Sequence, residues 1–160
     1  MTTAAGTRAT SAPLMSQSRP DVVGIRVIAA AILVGSLAIL GIGTWLTPST
    51  TGTGTHEELG LLPCGFLALT GYPCATCGMT TAVTHAVHGN LLTAFYVQPA
   101  GALLAIATAV AAILALYSLI GGVSLMPVWR VIWRPRVILA SAAVVLVAWV
   151  YKTLLVRGVI

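Results

Sequence analysis

Three long runs of apolar residues constrain this chain more than any other feature in it. Val27 to Leu46 carries no charge, Pro99 to Ile120 carries none, and Val137 to Val156 carries only Lys152. A helix needs about 20 such residues to cross the hydrocarbon core of a bilayer. Backbone amides find no water in lipid, so a span of this kind must be helical. Charged residues make up 7% of the 160, against about 25% in a soluble domain. With a mean hydropathy of +1.01, the chain cannot cover a water-facing surface. The predicted fold is an all-α membrane protein with three transmembrane helices, at about 26–46, 99–120 and 137–156. A Cys-containing re-entrant or interfacial segment, 59–97, lies between the first and second.

The first run exceeds the roughly 7–15 residues of a secretory signal core, and no A-x-A site follows Leu46, so it reads as a retained anchor. Residues 1–20, rich in Thr, Ala and Ser, read as a disordered tail, which leaves 21–160 as a single membrane domain. Basic residues set the expected orientation. Arg8, Arg19 and Arg26 precede the first run, and Arg130, Arg134 and Arg136 lie between the second and third. Lys152 and Arg157 stand at the far end, with Lys152 expected to snorkel to the interface, and 47–98 has no Lys or Arg. The positive-inside rule therefore predicts a multi-pass cell-membrane protein with a cytoplasmic N-terminus and an extracytoplasmic Cys loop. With the charge used for topology, no basic stripe interleaved with aromatics remains, and no nucleic-acid partner is expected. The expected surroundings are a lipid bilayer. A small-residue row at Gly101, Ala105, Ala109 and Ala112 suggests a membrane-protein partner or a second copy.

All three cysteines, Cys64, Cys74 and Cys77, fall between Cys64 and Gly78, next to Thr70-Gly71-Tyr72-Pro73, a turn signal. Three readings follow. Cys74 and Cys77 form a C-x-x-C pair able to close a reversible disulfide. A helix starting after Pro73 would favour the thiolate, and Cys64 would be a resolving thiol. Alternatively, Cys64, Cys74, Cys77 and His88 supply a Cys3His set of the kind that holds structural zinc. On a continuous helix from Cys77, Thr81, His85 and His88 share one face at roughly 100° per residue. The third reading is a disulfide staple with the odd Cys buried. A c-type haem site is excluded by Gly78, since that motif needs His there. No cofactor is predicted, and zinc is the one candidate metal.

Catalytic groups are otherwise scarce. Asp21, Glu57 and Glu58 are the only acids, and His56, His85 and His88 the only histidines. No Ser-His-Asp set, paired carboxylates or phosphate-binding loop is present. The expectation is a non-enzymatic envelope or accessory protein with a Cys-rich outer loop, the alternatives being a membrane thiol–disulfide oxidoreductase and a zinc-binding membrane protein.

From Cys64-x-Phe66 through Thr70-Gly71-x-Pro73-Cys74-x-x-Cys77-Gly78-Met79-Thr80, with His88-Gly89-Asn90 and Gln98-Pro99 following, the chain resembles a small bacterial membrane family of unknown function, DUF2752. The resemblance covers about Leu61 to Ala100. It implies that Cys64, Cys74, Cys77 and His88 are characteristic positions of the family, and it implies no activity. Thr81 stands where the family usually has Arg, Asn90 where it has Asp, and Gln98 where it has Asn. Any ion pair between that Arg and Asp would have lost both partners here.

Overall fold

The computed structural model describes residues 22–158. The tail expected to be disordered lies outside them. Helix α1 (Val22–Trp45) ends just before Thr47-Pro48, and contains Arg26 rather than starting after it. Three short helices occupy the long connection: α2 (Gly65–Thr70), α3 (Met79–Val87) and α4 (Leu91–Val97), preceded by a 3-10 turn at Thr55–Leu59. Helices α5 (Pro99–Gly121), α6 (Met126–Ile132) and α7 (Pro135–Val156) complete the chain. All three of these begin with proline in the first turn, where its missing N–H goes unmissed and its fixed φ suits a helix. Three helices, α1, α5 and α7, are long and apolar enough to cross a membrane.

Helices α1 and α5 pack antiparallel. At one end a Cβ on Gly122 would lie 3.4 Å from Val22 Cγ1. The buried residues of α1, Ala29, Ser36 and Gly43, recur every seven. Those of α5 include Gly101, Ala105, Thr108, Ala112 and Ala115, alternating by three and four. Such seams let two helices approach closely. The small-residue row of α5 is therefore occupied within the chain, and it no longer supports the expectation of a partner through Ala105 and Ala109. Helix α3 wedges into the top of the pair. A Cβ on Gly101 would stand 2.8 Å from Ala82 Cβ, and one on Gly43 would stand 3.1 Å from Val87 Cγ2. Ala82, Ala94, Val97 and Ala102 form the small core there.

Helix α7 is exposed along 138–147 and held at its C-terminal end. Trp149 Nε1 donates to Pro73 O at 2.9 Å, and Tyr151 Oη to Tyr96 O at 2.9 Å. Arg157 donates to Tyr72 Oη at 2.7 Å. Lys152 does not snorkel. It is 1% exposed and donates to Gly52 O and Val97 O, each at 3.1 Å. In an apolar span, an ammonium with carbonyls in reach is held there, because leaving its partners unmade costs more than staying buried. Lys152→Ala leaves two buried carbonyls unpaired and opens a void. Stability is expected to fall by about 2–4 kcal/mol, read as a lower thermal unfolding midpoint in detergent, with Lys152→Arg recovering part of it.

Candidate functional site

The segment carrying the thiols is built as a chain of turns braced from outside. Pro73 is fully buried, and its carbonyl accepts from Trp149. The Ala75 carbonyl accepts from Gln98 Nε2 at 3.4 Å. Within the turn, Cys77 N donates to Cys74 O and Met79 N to Thr76 O, both at 3.0 Å. Gly78, at φ 80° and ψ 0°, caps α3. That left-handed conformation costs a Cβ-bearing residue roughly 1–2 kcal/mol. A Cβ there would also stand 2.6 Å from Gly52 O and 3.2 Å from Lys152 Nζ, so the turn is clamped between the first loop and α7.

This bracing brings Cys64, Cys74 and Cys77 together, with their sulfurs all within 4.8 Å of one another. Cys74 Sγ lies 3.4 Å from Cys77 Sγ and 3.3 Å from Thr76 Oγ1. All three are free thiols, Cys77 buried and the other two half-buried. The trio is close enough to share one metal ion. His88 stands apart from it. Helix α3 begins only at Met79 and ends at Val87, so no continuous helix carries Cys77 and His88 on one face. His88 is exposed, and its Nδ1 donates to Thr84 O at 2.7 Å. His85 points elsewhere, with its Nδ1 buried and unpartnered. Burial, then repulsion from His88, lowers its pKa.

The two C-x-x-C thiols are unlike. Burial pushes the Cys74 thiol up, but hydrogen bonds to its sulfur from Thr76, Cys77 and Cys64 outweigh this, and its pKa falls from 9.0 to about 7. Cys77 is raised to about 12, first by burial and then by sharing its proton with Cys64 and Cys74. The acidity of Cys74 thus comes from neighbouring thiols and a hydroxyl rather than from a helix end, because Gly78 and not Cys74 precedes α3. The sign is testable. Alkylation follows the thiolate, so Cys74 should react at half its maximal rate near pH 7, slower below and faster above. At that pH it should outpace an ordinary thiol by tens-fold, roughly. Rate against pH with iodoacetamide, read by mass spectrometry at each cysteine, checks this.

The three thiols open into a cavity of about 720 Å³. Its apolar wall includes Ile39 and Ile42 of α1, Leu46 just beyond it, Leu67 of α2 and Leu104 of α5. Outside it, Leu62, Phe66 and Leu69 are large exposed apolar side chains.

Several contributors were not legible beforehand. Lys152 was expected to snorkel; a lone cation inside an apolar run is the signal that marks it as more than that. Gly52, Trp149 and Gln98 act through contacts with residues far along the chain and left no local mark. Thr81 is fully buried and hydrogen-bonded to Thr55 Oγ1 at 2.8 Å.

Residues 64–112 match the model of a protein family of unknown function, DUF2752. The match supports the resemblance read from the Cys-Gly-Met-Thr string, and it extends that resemblance into α5. No curated protein and no solved structure matches the chain.

Proposed function

We propose, for a chain whose family supplies no activity, that Cys74 and Cys77 form a membrane thiol–disulfide exchange site, with Cys77 resolving the mixed disulfide and Cys64 as a third thiol within reach. One observation carries the reading: a C-x-x-C pair at 3.4 Å with a third sulfur within 4.8 Å, all at the wall of one cavity. A disulfide bond of about 2.0 Å closes from that separation by small side-chain rotations. The unequal acidities support the roles. Cys74, half-buried and acidic, attacks a substrate disulfide, forming a mixed disulfide and releasing one substrate thiolate. Cys77 then loses its proton and attacks Cys74 Sγ, releasing the second substrate thiolate and leaving the Cys74–Cys77 disulfide. Two electrons pass from the pair to the substrate, and the reverse sequence oxidises a substrate dithiol. The basic residues, with Lys152 now removed from the outward count, favour a site on the extracytoplasmic side.

The trio also favours a second reading, a soft metal held by three thiolates with a fourth position open to the cavity. Without His88 the Cys3His zinc set loses its histidine, so this ligand set differs from the expected one.

The test traps thiols in intact cells with an impermeant alkylating reagent, with and without prior reduction, and reads each cysteine by mass spectrometry. Exchange predicts Cys74 and Cys77 shared between oxidised and reduced forms, with the ratio moving on adding a reductant. A pair locked in one state under both conditions removes the proposal, and metal co-purifying at one per chain would favour the second reading.

A further inference from the structure

The cavity beside the thiols has apolar walls furnished by membrane-spanning helices. Ile39 and Ile42 of α1 and Leu104 of α5 line it, and they are also 51%, 47% and 46% exposed. On helices that cross a bilayer, side chains exposed to that extent face lipid. The cavity therefore has a lipid-side wall on α1 and α5, and it also takes in His56 and Glu57 from the loop that follows α1. Its volume of about 720 Å³ lies within the roughly 300–1,000 Å³ of small-molecule sites. Among its apolar walls stand the hydroxyls of Thr76 and Thr80 and the three sulfurs. A ligand entering past the lipid-side wall is lipid-soluble, and to oxidise a dithiol it must accept two electrons. Thr80 offers a donor for an oxygen on a ring.

From these observations we infer that the cavity binds a lipid-soluble quinone, which oxidises the Cys74–Cys77 pair. The inference rests on the exchange reading and supplies its electron acceptor. In the reaction the Cys74 thiolate forms a carbon–sulfur bond to the quinone ring. Cys77 then attacks Cys74 Sγ, the carbon–sulfur bond breaks, and its electron pair stays on the ring. The ring takes the Cys77 proton and one further proton from solvent and leaves as the hydroquinone. One thiolate, one thiol, one quinone and one proton become one disulfide and one hydroquinone.

The experiment uses the full chain in lipid nanodiscs, reduced and under anaerobic conditions. Decylubiquinone and oxidised glutathione are supplied separately as oxidants. Hydroquinone is followed by absorbance and the cysteine pair by mass spectrometry. The expected result is one hydroquinone per disulfide formed. With Ile42→Trp filling the lipid-side wall, the ratio of quinone rate to glutathione rate should fall by about tenfold or more. Leu104→Trp, on α5, gives the same reading if the first variant fails to fold. Oxidation of the wild type by glutathione but not by decylubiquinone overturns the quinone site and leaves the exchange reading standing. So does a rate ratio unchanged in both Trp variants, which would mean the cavity holds only lipid chains. Failure of both oxidants on the wild type overturns the exchange reading itself.

Discussion

Cys74→Ser is expected to stop thiol exchange while leaving the protein folded. Serine matches the shape of cysteine, and Cys74 is half-buried at the cavity wall rather than packed in the core, so little stability is lost. The chemistry is lost because a serine hydroxyl stays protonated at neutral pH, whereas the Cys74 thiol has a pKa of about 7. The exchange rate should fall by about a thousandfold, measured with a disulfide substrate against the wild type in the same membrane mimic. Cys77→Ser should behave differently. It retains the nucleophile and lacks its main resolving thiol, so a mixed disulfide on Cys74 should accumulate and be visible by mass. Were Cys77→Ser to abolish attack while Cys74→Ser exchanged normally, the two roles would have to be reversed.

Gly78→Ala carries the second large effect, on stability and on the site together. The left-handed backbone at φ 80° costs roughly 1–2 kcal/mol with a Cβ present. That Cβ would stand 2.6 Å from the Gly52 carbonyl oxygen and 3.3 Å from Lys152 Cε. Neither neighbour yields freely. Gly52 is itself at φ 72°, and the Lys152 ammonium is tied to two carbonyls. Overpacking of this kind adds about 1–3 kcal/mol, so a total near 3 kcal/mol is expected as a drop in the unfolding midpoint. Because Gly78 follows Cys77 directly, any shift that relieves the clash also moves Cys77 away from its 3.4 Å approach to Cys74. Alkylation of Cys74 should then lose its acidic midpoint and move toward that of an ordinary thiol. An unchanged midpoint in a destabilised Gly78→Ala protein would show that the thiol geometry does not depend on this clamp.

Much of this molecule is legible along the chain because lipid is an unforgiving solvent. A backbone in hydrocarbon must satisfy its own hydrogen bonds, so a run of about 20 apolar residues has one available conformation. Three such runs appear as α1, α5 and α7, and prolines at the heads of α5 and α7 mark where they start. The clustering of cysteines was equally visible, since all three lie in one short connection. Their convergence was not: sequence proximity puts thiols on the same segment, whereas a common centre needs turns with particular dihedrals and outside support. That support comes from Trp149 on α7 and Gln98 at the head of α5, residues whose side chains reach carbonyls 76 and 23 positions away.

Three readings changed once distances were known. Lys152 looked like an interfacial charge because its run ends nearby, and is instead a buried clamp on Gly52 and Val97. The small-residue face of α5 looked available to a partner, since Gly and Ala at helical spacing announce close contact but not with what. It packs on α1 and α3 of the same chain. His88 looked like a fourth ligand on a continuous helix, yet α3 starts two residues after Cys77, and the ring turns to its own helix carbonyl. The sequence by itself therefore determined the solvent, the number of spans and the segment holding the thiols, because these follow from local composition and backbone hydrogen bonding. Only the tertiary structure decided which thiols meet, which cation anchors them and which faces are already filled, because those depend on distances between residues that the chain order keeps far apart.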